Sequence, residues 1–426
     1  MGRSETGVGL LGFGTVGTGT WTILQEREQA ISAAYGTALK VKRILVRDAK
    51  KERGIRAAAP LLTERFEDLL EDDNIQIVVD VMGGEEPALS YILASLQKGR
   101  HLVTANKEVI AKHGPLIYET AAAAGCRVYT EACVAGGIPV LHPLQECFAG
   151  NVVQRVGGII NGTTNHILSA MADGGQDYNR ALMEAQSAGY AEADPCADVE
   201  GLDALYKTVI LAREGLGVGI PWQEVPCEGI TAIRGLDMQI ADRWNCRIKL
   251  VGIVERRKDA VCAAVQPMLI PQDHILAAVQ GVQNGVLVQG DAVGEVFFAG
   301  PGAGRLPTGS AVVSDLVRII RNGTGGERAS RVSPTQLADS SKGEYYLRWT
   351  ALTEDPGAEL AALLAPYEGD CLEMINTAED EAERVMVARI RGLTLMEKNE
   401  LVQSYTAAAG MQGQILALRV GFELAE

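Results

Sequence analysis

Between Gly189 and Lys207 the chain runs Gly-Tyr-Ala-Glu-Ala-Asp-Pro-Cys-Ala-Asp-Val-Glu-Gly-Leu-Asp-Ala-Leu-Tyr-Lys, which sets five carboxylates and one lysine around a junction of loop and helix. Asp203 and Lys207 stand four apart, so on a helix they share a face, and Glu192 lies in the loop just before. Carboxylates beside an ammonium are the equipment of acid–base chemistry. The plain alternative is an exposed ion pair worth about 0.3–0.5 kcal/mol. The Gly- and acid-rich approach favours the catalytic reading. A second lysine, Lys107, ends the run Thr104-Ala-Asn-Lys107 after an apolar strand, where ligands meet the carboxyl ends of an open parallel sheet.

The elements that must position these groups follow from punctuation and periodicity. Pro195 blocks helix before it, Asp198 is suited to capping, and Leu202, Leu205, Val209, Ile210 and Leu211 give an apolar face. The pattern predicts a helix from near Val199 to Gly215. Upstream, strand Val8–Leu11 runs into Gly12, Phe13, Gly14, Thr15, Val16 and Gly17, then a helical pattern toward Tyr35. Strand, glycine turn and helix together predict a dinucleotide fold, with the phosphates at the helix N-terminus. Strand Val41–Val46 ends in Arg47-Asp48, and Arg47 suits a 2′-phosphate, with Lys51 or Arg53 as helpers. This favours NADP and leaves NAD open. Strands Ile75–Met82 and His101–Val103 break at Gly83-Gly84 and at Thr104. Strand Arg127–Thr130 leads to Glu131 and a loop of small residues whose carbonyls could converge on a monovalent cation. Strand Val153–Ile160 ends in Asn161-Gly-Thr-Thr-Asn165, a turn able to cap a helix or hold a substrate carboxylate, with Thr163 inside it.

Composition narrows the class. At 426 residues two or three domains are expected, and a net charge of −15 without a long basic run argues against nucleic acid. The eight cysteines form no CxxC pair and the five histidines no HxxxH spacing, which points to reduced core thiols in a cytoplasmic protein without zinc. No apolar run approaches the roughly 20 residues that span a bilayer.

Alternating segments Ile248–Val254, Val261–Val265, Val286–Val288 and Val293–Phe298 predict an open mixed sheet in a second domain, and helix Ser310–Ile320 a return to the first. Residues 323–344 read as a linker. The tail then reads β-α-β-β-α-β, a ferredoxin-like module. The expected division is therefore 1–140 completed by 305–322 for the dinucleotide, 141–304 for substrate and dimerisation, and 345–426 for the tail: an α/β chain with a Rossmann-type N-terminal domain.

With these motifs assembled, the sequence closely resembles homoserine dehydrogenase in its monofunctional form with a C-terminal ACT domain; no kinase-like segment precedes Val8. The resemblance implies reversible NAD(P)H-dependent reduction of L-aspartate 4-semialdehyde to L-homoserine, in threonine, methionine and isoleucine biosynthesis. It implies Lys207 as proton donor and Lys107 as a second catalytic lysine at the nicotinamide. Glu192 and Asp203 look like substrate-binding carboxylates, with Asp198, Asn161 and Thr163 beside them. Gly189, Gly302 and Thr104 resemble cofactor contacts. Glu131 with the carbonyls of Val134, Gly136 and Ile138 resembles a structural sodium site. A homodimer or homotetramer and a threonine effector at the ACT domain are implied too. The tail departs from the ACT pattern at Asp355-Pro-Gly-Ala-Glu-Leu360, where Ala358-Glu359 replaces an apolar pair. Two rivals are aspartate-semialdehyde dehydrogenase, which would need Cys133 as nucleophile with a histidine, and an amino-acid sensor on a dehydrogenase scaffold.

Overall fold

The structure, a computed structural model, describes residues 4–258, 260–322, 332–377, 384–409 and 414–422. The chain opens with β1 (Ser4–Leu11), α1 (Thr15–Tyr35), β2 (Thr37–Leu45), β3 (Leu62–Thr63), α2 (Glu67–Leu70) and β4 (Ile77–Asp80). Next come α3 (Ala88–Gln97), β5 (His101–Thr104), α4 (Lys107–Ala123), β6 (Val128–Tyr129) and α5 (Leu141–Glu146). β7 (Val153–Ile159), α6 (Gly162–Gly174), α7 (Tyr178–Ser187), the short α8 (Cys196–Val199) and the long α9 (Leu202–Leu216) follow. After β8 (Val218–Gly219) and α10 (Gly235–Arg243) come β9 (Cys246–Arg257), β10 (Ala260–Pro271), β11 (Gln283–Gly290), β12 (Gly294–Pro301), α11 (Arg305–Asn322) and β13 (Ser333–Pro334). The last stretch is β14 (Gly343–Thr350), α12 (Pro356–Leu364), β15 (Asp370–Thr377), β16 (Val385–Leu393), α13 (Leu395–Ala409) and β17 (Ile415–Val420).

Two compact units result, Met1–Val153 with Val209–Trp222 and Asn284–Pro334, and Gln154–Thr208 with Gln223–Gln283 and Thr335–Glu426. In the first, a six-stranded sheet has the order β3-β2-β1-β4-β5-β6. All its pairings are parallel, the order of a dinucleotide-binding sheet. β4 and β5 are buried along their whole length, as strands covered on both faces must be, and this is why they read as unbroken apolar runs. The predicted return helix is α11. Its Val312, Leu316 and Ile319 join Val8, Leu10, Trp21 and Leu24 in one core. The two helices cross at glycines: a β-carbon on Gly19 would lie 1.8 Å from the Arg305 carbonyl oxygen.

In the second unit β7, β9, β10, β17, β14, β16 and β15 lie side by side in that order. β9 and β10 form a long antiparallel pair. The tail strands stand fourth, first, third, second, which is the ferredoxin-like arrangement, around Tyr345, Trp349, Leu360, Leu401 and Tyr405. This module is built into the sheet, since β17 pairs in parallel with β10 at Met268 and Leu269. Deeply buried charges tie it down as well. Asp237 on α10 sits 2.8 Å from Arg348 Nε and accepts the Tyr346 hydroxyl, while Arg348 Nη2 donates to the Ala232 carbonyl. Lys398 pairs with Glu228.

Three expectations need correction. The helix expected from Val199 is broken in two, because Gly201 at φ +85° turns the chain between α8 and α9. Asp198 therefore lies inside α8 and caps nothing. The apolar segments of β9 and β10 are buried within this chain, so they do not by themselves call for a second copy. Of the stretch read as a linker, 323–331 lie outside the described residues. Ser333–Pro334 pair with β8, and Ser340 and Asp339 accept the first N–H groups of α13.

Breaking a buried ion pair on one side costs more than the pair contributes, because the survivor is left uncompensated. Arg348→Ala is expected to destabilise the chain by about 3–5 kcal/mol. Urea denaturation measures it, and a loss under about 1 kcal/mol would show that Asp237 is satisfied without the guanidinium.

Candidate active site

The first unit supplies a nucleotide edge. Gly12 has φ +102° and donates its N–H to the Leu45 carbonyl at 3.0 Å, a turn that side chains resist. A β-carbon on Gly17 would lie 2.5 Å from the Gly12 carbonyl oxygen, which is the close packing of turn and helix that the fingerprint requires. Gly14, the cap of α1, faces open space, and Phe13 is buried beneath the turn. Thr15 and Val16 open α1, so their N–H groups join the helix N-terminus that attracts phosphate.

Past the end of β2, Arg47 is exposed, while the Asp48 carboxylate turns back to accept the Lys50 and Lys51 N–H groups at 2.8 and 3.2 Å. The acid after this strand is thus spent on a local turn. Arg53 bonds the Lys51 carbonyl. At the end of β5, Thr104 is fully buried and Asn106 caps α4, whose first residue is Lys107, half-buried. Gly302 packs flat against the buried Asn284 amide, where a β-carbon would come within 2.1 Å.

Glu131 is engaged elsewhere. Its carboxylate accepts the N–H groups of Val140 (2.6 Å), Leu141 (3.0 Å) and His142 (2.6 Å), closing the start of α5. Burial raises its pKa, against those same bonds. The loop beyond carries Ala135 and Gly136 at φ +54° and +49°. Among the described residues no cluster of three His, Cys, Asp or Glu could hold a metal.

The second unit holds a compact charged cluster. Lys207 Nζ donates to Asp203 Oδ2 at 2.6 Å and to the Ile160 carbonyl at 2.7 Å. Asn161 Nδ2 donates to Asp203 Oδ2 at 2.8 Å and to Asp198 Oδ1 at 2.7 Å. The Asn161 oxygen accepts the Thr164 N–H at 2.8 Å, fixing the amide as the cap of α6. Thr163 donates to the Tyr190 carbonyl, tying this turn to the loop after Gly189. Asp203 and Lys207 are both under a tenth exposed, so the exposed ion-pair reading does not hold. Burial, then the charge of Asp203, raises the Asp198 pKa. Gly189 (φ +76°) and Glu192 are exposed, and the Glu192 side chain is outside this network.

Cys133 is no nucleophile. Its thiol is fully buried, donates to the Thr104 carbonyl at 3.2 Å, and is pushed well above its usual pKa by burial and then by Asp80.

With this geometry, comparison with known proteins is decisive. Residues 12–131 match the family profile "Homoserine dehydrogenase, NAD binding domain" and residues 139–317 match "Homoserine dehydrogenase". The homoserine dehydrogenase of Pseudomonas aeruginosa is 37% identical over 97% of this chain and 98% of its own. The chain belongs to the homoserine dehydrogenase family. It is an oxidoreductase of amino-acid biosynthesis with a NAD-binding domain. The solved homoserine dehydrogenase of Thiobacillus denitrificans superposes with a TM-score of 0.88 at 35% identity, covering 99% of both chains. An archaeal homoserine dehydrogenase in complex with NADPH matches at 0.65 and 27%, covering 76% of this chain and all of its own. No helix among the described residues is long and apolar enough to cross a membrane.

Three participants escaped the sequence. The Ile160 carbonyl has no side-chain signal at all. Asn284 sits in a strand pattern that gave no hint of an amide against Gly302. Asp80 had a signal, a lone acid closing the apolar run Ile77–Asp80.

Asn161 donates to both carboxylates, and it holds the Asp198 pKa down. Asn161→Ala should raise that pKa further and move the acidic limb of kcat/KM to higher pH. A pH profile unchanged from wild type would show that the bridge is dispensable.

Proposed function

We propose that the chain catalyses reversible NAD(P)H-dependent reduction of L-aspartate 4-semialdehyde to L-homoserine, in the synthesis of threonine, methionine and isoleucine, with Lys207 as proton donor. The observation that carries this reading is the anchoring of Lys207 Nζ between Asp203 Oδ2 and the Ile160 carbonyl. An ammonium has three N–H groups, and two are committed. The third is directed at a substrate oxygen. The bound dinucleotide supplies the hydride. Lys207 then gives its proton to the alkoxide, and Asp203 steadies the ammonium before transfer. Lys107, opening α4 at the nucleotide edge, adds positive charge on the cofactor side. Asp198, Asn161, Thr163 and Glu192 recognise the amino-acid end, Asp198 and Asp203 being matched to its ammonium.

The dinucleotide lies on Gly12–Gly17, with Thr104, Lys107, Gly189 and Gly302 as further contacts. NADPH is preferred, because Arg47 is exposed where the ribose phosphate falls and Asp48 is withdrawn. The NADPH complex of the archaeal relative agrees with this. A sodium ion would rest on the carbonyls of Val134, Gly136 and Ile138, since three backbone N–H groups engage Glu131. Residues 345–426 act as an ACT-type regulatory module for an amino acid such as threonine. The enzyme works as at least a dimer: β12 carries Phe297 and Phe298 half-exposed on a strand that is open along much of its length.

An assay of NADPH oxidation with aspartate semialdehyde tests the reaction, and no consumption would overturn it. Lys207→Ala should lower kcat by roughly 10²–10⁴ with folding and NADPH binding retained. Lys207→Arg keeps the charge without an easily released proton, so it should restore substrate binding more than turnover. Arg47→Ala should raise KM for NADPH and spare NADH; equal losses with both would sink the preference.

A further inference from the structure

Asp80 ends β4 with its carboxylate wholly buried, and among the described residues no cation pairs with it. A buried carboxylate without a cation costs stability, and such costs persist mainly where function holds them. Its position is the carboxyl edge of a parallel sheet, where ligands bind. Oδ1 accepts the Met82 N–H at 3.0 Å, on the loop leading to Gly83 and Gly84. Oδ2 accepts the Thr104 hydroxyl at 3.0 Å, on the neighbouring strand end. With its proton turned toward Asp80, the Thr104 oxygen accepts the Asn106 N–H at 2.9 Å. Asn106 in turn donates to the Gly84 carbonyl at 2.9 Å and caps α4 through Val109. The circuit closes on the loop where it began.

We propose that Asp80 is a positioning residue of the reaction: through Thr104 and Asn106 it fixes the two loops that receive the nicotinamide end of the dinucleotide and set the backbone of Lys107. This rests on the dehydrogenase reading above. The role needs an acid. An amide could accept from Met82, but its NH₂ would face the Thr104 oxygen, which already accepts from Asn106, and would leave the hydroxyl proton without an acceptor. Burial pushes Asp80 up to about 6, with the bonds from Met82, Thr104 and Asn106 pulling it back. The titratable groups around it are the Cys133 thiol, raised well above its usual value, and Lys107, whose charge acts on that thiol.

Cofactor affinity, read beside stability, separates this role from a purely structural one. An acid whose pKa is higher folded than unfolded binds extra protons in the folded state, so stability falls as pH rises from about 4 to about 6. Asp80→Asn removes that loss and should melt at higher temperature than wild type at pH 7.5. It should bind NADPH less tightly by roughly 3- to 30-fold, the loss of one or two oriented hydrogen bonds. KM for aspartate semialdehyde should stay within about twofold, because the substrate cluster lies elsewhere in the chain. Below about pH 6 the wild-type affinity should fall more steeply than the variant's, and with NADH, which carries no 2′-phosphate, the variant's should be flat there. NADPH binding is read by cofactor fluorescence and melting by calorimetry. Unaltered NADPH affinity in a folded variant overturns the proposal, whatever its melting temperature. Should Asp80→Asn fail to fold, Thr104→Val reads the same circuit, with recovery in Thr104→Ser expected and equal binding by both overturning it. An active wild type with unaltered variants fails this inference alone, whereas a wild type inactive with every dinucleotide fails the reading beneath it.

Discussion

The arrangement of the second unit depends on keeping one ammonium out of water. Lys207 is almost fully buried, and a charge there is tolerable only where carboxylate and carbonyl partners replace its hydration. That requirement fixes several elements at once. β7 must end so that the Ile160 carbonyl points at the amine. α9 must begin late enough to carry Asp203 and Lys207 on one face, which the left-handed turn at Gly201 arranges. The first turn of α6 must then bring Asn161 between two acids that would otherwise repel each other. Close packing below leaves no slack, since a β-carbon on Gly229 would lie 2.1 Å from the Val199 carbonyl oxygen.

The nucleotide sheet was legible in the sequence because local and long-range signals agreed there. Strands that are covered on both faces read as apolar runs, and the glycines at 12 and 17 are demanded by a turn and a contact spanning a few residues. The β-α-β-β-α-β tail was readable for the same reason. What could not be read was anything set by distant backbone. A carbonyl such as that of Ile160 carries no residue-type signature, and the break between α8 and α9 was hidden by continuous apolar periodicity through Leu202 and Leu205. Asp198 looked like a cap, and its actual partner, Asn161, is 37 residues away. Glu131 shows the reverse case: an acid before a small-residue loop suggested a cation, and the structure gives its oxygens to the start of α5.

Charge is handled differently in the two units. In the second, the buried Asp237 and Asp203 each have a cationic partner, so their burial is offset locally. In the first, Asp80 and Asp315 are buried with N–H or O–H donors as their hydrogen-bond partners, and burial raises both. A carboxylate held only by neutral donors is less firmly stabilised than one held by a cation. In the second unit Asp198 is the comparable case, since burial raises it and the neutral Asn161 amide is its hydrogen-bond donor.

The parallel pairing of β17 with β10 has a consequence for synthesis. β10 is complete at Pro271, yet the strand that pairs with Met268 and Leu269, the stretch of its outer edge left open by residues 226–228 and 336–338, begins only at Ile415. Ribosomes add about 5–20 residues per second, so that edge waits on the order of ten to thirty seconds for its neighbour. An apolar strand with free N–H and C=O groups is a template for wrong partners during that interval. The nascent chain is thus most vulnerable to aggregation after the Lys207 cluster and β10 have been made and before β17 emerges, which makes that strand a clasp on the quality of the fold.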